Sequence, residues 1–241
     1  MEEYESKIIS NNRKISTLLK ENEDLLKAAG FPPPASDWQI PKEGAKIHFP
    51  EGYIRPNQYY IKKYKLNDIV CVKSVRKNIA YSFQLADYYS YFINRFHILG
   101  SVSIMFYKHD IINLVSIMEA LATSATTRIS VNCPKQLKKS LASGLYPNKR
   151  QQIYLKSAID WAKSNNITHL TNQQIHELDS LYELRNHVHI LKDAPYKYGS
   201  KDFNKSNHDM AANLVEQLAD DISAHWVQYY SLPLHGCRPQ K

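Results

Sequence analysis

Beyond Asn67, apolar residues recur at every third or fourth position through most of the chain, the pattern of helices that lay one face on a core. Val72, Val75, Ile79, Phe83, Ala86, Tyr89, Ile93 and Phe96 predict a helix over 69–99, with Asn67 or Asp68 as its N-cap. Gly100 and Ser101 interrupt it. A second helix, over 102–127, carries Ile104, Ile111, Ile112, Leu114, Val115, Met118, Leu121 and Ala122. It is apolar nearly all round and is therefore expected to be the most buried element. A third, over 151–164, places Ile153, Leu155, Ala158, Ile159 and Trp161 on one side and is closed by Asn165 and Asn166. Thr171 followed by Gln174 forms a capping box that opens a fourth helix running to 191, with Asp193 and Pro195 ending it. Ser206 or Asn207 caps a last helix to 230 that turns Ala211, Leu214, Val215, Leu218, Ile222 and Trp226 inward.

The first part of the chain follows another pattern. Residues 1–30 read as a polar amphipathic helix with Ile8, Ile15, Leu18, Leu19, Leu25 and Leu26 on a loose seam, stopped by Gly30 and Pro32. That seam suits either an oligomerisation arm or a helix packed on its own domain. Residues 31–68 form an extended connector rich in proline and tyrosine; its part from Lys46 to Tyr64 reads as loop with one short edge strand or hairpin. Its tyrosines would either stack on bases or pin the loop to a core. The expected organisation is an all-α helical bundle over 69–230, with this N-terminal helix and connector before it and a disordered tail over 231–241.

Composition narrows the function classes. Only 7 glycines and no Gly-rich phosphate motif argue against nucleotide-binding α/β folds. The 3 cysteines, Cys71, Cys133 and Cys237, are too far apart for a zinc knuckle or a disulfide framework and suit a reducing, cytoplasmic setting. Neither a secretory leader nor an apolar run long enough to span a bilayer is present in the sequence, so no membrane association is expected. A net charge of +8 favours a polyanionic partner, and lysine-rich stretches at 62–77 and 132–150 either contact phosphates or only solvate the surface.

Candidate chemistry concentrates at Leu178–Leu191, where an arginine and two histidines interrupt an apolar stripe of Leu178, Leu181, Leu184, Val188 and Leu191. On a helix Arg185 and His189 share one side, and His187 points away to solvent. Glu119, set among Val115, Met118 and Ala122 in the second helix, needs a cationic or hydrogen-bonding partner. Arg185 is the candidate. Such a pair serves either a site or the fold alone.

Two long helices with a buried acid in Ile-Asn-Leu-Val-Ser-Ile-Met-Glu-Ala-Leu, a later helix ending in Leu-Arg-Asn-His-Val-His, and a last amphipathic helix together resemble the HEPN (higher eukaryotes and prokaryotes nucleotide-binding) superfamily. The resemblance covers 69–230. It implies a metal-independent endoribonuclease with no cofactor, acting as a homodimer on RNA, often as a toxin held by an antitoxin or another protein partner, or in anti-phage defence. Carried over, Arg185, Asn186 and His189 would be the catalytic residues, with Glu119 supporting them. In the family four to six positions separate the Arg from the His; three do here. Some HEPN-like domains bind or scaffold without catalysis, and that is the alternative reading.

Overall fold

The computed structural model describes residues 2–28, 54–98, 100–132, 153–186 and 202–231. The chain divides into two units, Met1–Pro50 and Glu51–Lys241. In the first lies α1 (Glu2–Ala28), whose seam residues Ile8, Ile15, Leu18 and Leu25 are exposed. The second holds α2 (Asn57–Lys63), α3 (Leu66–Ile69), α4 (Lys73–Arg95), α5 (Gly100–Asn132), α6 (Leu155–Ser164), α7 (Asn172–Asn186), α8 (Lys205–Asp221), a π-turn over Ile222–Trp226, and α9 (Gln228–Ser231). Among the described residues there is no strand, so the all-α class expected from the periodicity is the one that forms. No described helix is long and apolar enough to cross a membrane.

The second unit is organised around α5. Ile111, Leu114, Val115, Ile117, Met118, Leu121, Ala122, Ala125 and Ile129 are buried over about half of its circumference, and α3, α4, α6, α7, α8 and α9 all pack on it. Expectation and structure agree here. Gly100 starts α5 at φ +63, a left-handed conformation that a side chain would strain, and this sets the turn after α4. The capping box also forms. Gln174 N–H donates to Thr171 Oγ1 at 3.2 Å and Thr171 N–H to Gln174 Oε1 at 2.7 Å. Thr171→Ala is expected to lower stability by about 1 kcal/mol, read by urea denaturation; a change under about 0.3 kcal/mol would show the cap to be dispensable.

Several sequence expectations need correction. The stretch 57–64, read as part of a loop with an edge strand, and 65–68, read as the end of the connector, hold α2 and most of α3, and these pack in the core of the bundle. Tyr60 and Tyr64 are four apart and so share one helical face; both are buried, and their rings stack on Phe83 with centroids 5.2 and 4.2 Å away. Aromatic β-propensity suggested the strand, but the burial of these two rings against α4 favours the helix. Asn67 and Asp68 lie inside α3 and cap nothing; the long helix begins at Lys73 after a short extended step, with Val72 exposed. Asn204 caps α8, not Ser206 or Asn207, its side chain accepting from the Asn207 N–H at 2.9 Å. The last helix is also broken. Val227 N–H bonds five residues back to the Ile222 carbonyl, the mark of a π-turn. The connector over 31–53 and the tail over 232–241 lie outside the described residues.

Candidate functional site

Helix α7 directs Ile175, Leu178 and Leu181 into the core and leaves its last turn half-buried. There Arg185 meets Glu119 of α5, with Nη2 3.1 Å from Oε2, so the cation that the isolated carboxylate required is the one the sequence indicated. About a third of the Arg185 side chain is exposed, against a fifth of Glu119. Its Nη1 donates to Asn186 Oδ1 at 3.2 Å. The guanidinium is thus fixed on one side and open on another. His187 and His189 lie outside the described residues, as do Val188 and Leu191.

Tyr182, one turn before Arg185, faces the same group and was missed in the sequence, although a spacing of three and four from Arg185 and Asn186 was the available signal. Burial, reinforced by the Glu119 carboxylate, pushes its hydroxyl up despite Asn186 and Arg185. It stays protonated at neutral pH. Glu119, Tyr182, Arg185 and Asn186 therefore form a half-buried patch with one partly free cation. It can hold an anion.

A second polar cluster lies elsewhere along α5, and no local motif announced it. Asp110 is fully buried, and its Oδ2 is 2.7 Å from Nε2 of His208 on α8. The Tyr107 ring packs beside that imidazole, Asn113 faces the carboxylate, and Asp209 Oδ1 is 3.4 Å from Nδ1. Burial opposes the imidazolium, but the hydrogen bond and charge of Asp110 outweigh it and raise the pKa of His208 above the usual 6.5. Burial likewise raises Asp110, against the pull of His208. The folded pair therefore holds protons more tightly than the unfolded chain does. Stability from His208 is fully present below about pH 6.5 and is lost as pH rises through its folded value. Urea denaturation from about pH 6 to pH 9 should show stability falling in the wild type and a flatter profile in His208→Gln. Equal slopes in the two proteins would rule out the pair as the cause.

Close to this pair, Asp87 of α4 clamps the segment before α2. It accepts from the backbone N–H of Arg55 at 3.1 Å and from Arg55 Nε at 2.9 Å, and it also takes Arg55 Nη2 and the Tyr60 hydroxyl. Burial works against the Asp87 charge, yet Arg55 and Tyr60 hold its carboxyl below the usual range. Lys63 pairs with Glu216 of α8, which also accepts from the Tyr64 hydroxyl. Burial pushes that hydroxyl up to about 12.

A third group is structural. The Asp221 carboxylate accepts from Thr168 Oγ1 at 2.6 Å, His169 N–H at 2.9 Å and Trp226 Nε1 at 2.9 Å, tying the turn before α7 to the π-turn. Beside it the rings of His169 and His225 stack with centroids 3.8 Å apart.

No family model, curated protein or solved structure matches the chain.

Proposed function

We propose that this chain is a HEPN-like metal-independent endoribonuclease that acts as a homodimer. The reading is carried by Arg185, a guanidinium in the last described turn of α7, oriented by Glu119 at 3.1 Å yet one-third open to an incoming phosphate. Tyr182 and Asn186 add donors beside it, and a net charge of +8 favours encounter with RNA. In the proposed reaction the ribose 2′-oxygen attacks the adjacent phosphorus and the bond to the 5′-oxygen breaks. The products are a 2′,3′-cyclic phosphate and a 5′-hydroxyl. His189 of one subunit takes the 2′-OH proton, and that of the other gives a proton to the leaving oxygen, as an imidazole with an unperturbed pKa near about 6.5 can do. Arg185 neutralises the charge that grows on the non-bridging oxygens. Pairing the two sites makes dimerisation a condition of activity. A role as a toxin or in phage defence follows from the family resemblance. The test is incubation of purified chain with labelled single-stranded and structured RNAs, with and without EDTA. Cleavage that EDTA leaves unchanged and that yields cyclic-phosphate ends supports the proposal, and intact RNA throughout overturns it.

One observation favours a second reading, a non-catalytic interaction module. Arg185 already has a carboxylate partner, which is what an ion pair fastening α7 to α5 requires. Loss of stability in Arg185→Ala, with no activity to lose, would select it.

A further inference from the structure

The polar cluster at Asp110 and His208 encloses a cleft of about 110 Å³ among α2, α4, α5 and α8. Its other walls include Arg55, Tyr60, Asp87 and Ala212. Its charges are paired: Arg55 with Asp87, Lys63 with Glu216, His208 with Asp110. One valence stays open. Asp110 Oδ1, on a side chain 1 % exposed, accepts no hydrogen bond of ordinary geometry, and the Asn113 amide that faces this carboxylate donates to the Ser82 carbonyl at 2.8 Å. A buried carboxylate oxygen without a donor is costly, and natural structures seldom leave one so.

That open valence specifies its ligand. With the proton of the pair on His208 the oxygen accepts, so the ligand must donate. Three carboxylates line it, Asp87, Asp110 and Glu216, against one guanidinium, Arg55, and one imidazole, with Lys63 paired to Glu216 from outside the lining, so the cleft is neutral or negative in a chain whose net charge is +8. An anion is disfavoured there. Among the described residues no group of three His, Cys, Asp or Glu side chains could hold a metal ion. The wall where Phe83 lies between Tyr60 and Tyr64 presents aromatic and apolar surface, which suits an alkyl chain or a planar cation. The volume exceeds that of one water and admits only a few heavy atoms.

We infer that this cleft binds a small organic cation with N–H donors, a primary ammonium or an amidinium, anchored on Asp110 Oδ1. It is a separate site from the Arg185 patch and needs no RNA cleavage to be detected. The full chain is titrated with propylammonium or acetamidinium chloride at constant ionic strength, following the melting temperature and the His208 ring resonances. Tetramethylammonium, which carries the charge without a donor, is the control. A saturable rise in melting temperature with either donor cation, accompanied by shifts at His208 and absent with tetramethylammonium, is expected. Asp110→Asn should weaken binding by about tenfold or more. Should that variant fail to fold, Ala212→Met, which fills the cleft without touching its charges, should abolish binding in a protein that melts no lower than the wild type. The proposal is overturned by a response no larger than that to sodium chloride, by equal binding of tetramethylammonium, by saturation with acetate in place of the cations, or by unchanged binding in Ala212→Met.

Discussion

Arg185→Ala is expected to slow RNA cleavage by about 10²–10³-fold, and His189→Ala by about 10²–10⁴-fold, while His187→Ala stays near the wild-type rate. The arginine acts on charge that develops only in the transition state, so its loss should fall on kcat more than on KM. Fold stability should drop by only about 1 kcal/mol, because the bond to Glu119 is partly solvated. Glu119→Gln separates orientation from charge: it keeps the shape, weakens the hold on the guanidinium, and should cost less activity than Arg185→Ala. Cleavage rates and urea melts on the same preparations check all four variants. If Arg185→Ala cleaves RNA as fast as the wild type and only melts earlier, the arginine is a fastening of the bundle.

That pair was legible because its logic is local to each helix. A lone carboxylate in an otherwise apolar helix demands a cation, and Arg185, at the margin of an apolar stripe in the same bundle, was the candidate. The same reasoning reached the burial of α5 and the capping box at Thr171. It did not reach α2, where seven residues are too few for a period to stand out against the β-propensity of tyrosine. Nor could it reach Asp110 with His208, whose bond spans 98 positions. Each looks alone like an ordinary surface residue, and only the packing of α5 on α8 brings them together. The π-turn was hidden for another reason: Ile222 and Trp226 keep a spacing of four, so the apolar pattern runs on through a changed hydrogen-bond ladder.

Asp221→Ala should lower stability by about 2–4 kcal/mol, a large part of what holds a domain of this kind together. The carboxylate serves three donors, and two of them, the Trp226 indole N–H and the His169 backbone N–H, are fixed by ring and backbone and cannot turn to another acceptor. Thr168 can turn its hydroxyl to water at less cost. The buried Trp226 N–H left without an acceptor costs about 1–3 kcal/mol, and the part-buried His169 N–H less. Asp221→Asn keeps one acceptor oxygen for Thr168 and Trp226 but turns its amide N–H toward the His169 N–H, and should recover only part of the loss. In Trp226→Phe one of the orphaned donors is gone, so a double-mutant cycle with Asp221→Ala should show coupling of about 1 kcal/mol or more. Measured losses under about 1 kcal/mol would mean that solvent replaces the carboxylate.

Asp110 and Glu119 hang from the same helix, nine positions apart. At about 1.5 Å and 100° per residue they stand some 13 Å apart along the axis and on nearly opposite sides of it. The length of this stretch of α5 thus acts as a ruler between the Arg185 patch and the Asp110 cleft. One residue added or removed between them would swing one partner about 100° away from its helix while leaving the other in place. Over 111–118 the spelling of the chain can drift where side chains reach the surface, but its letter count cannot.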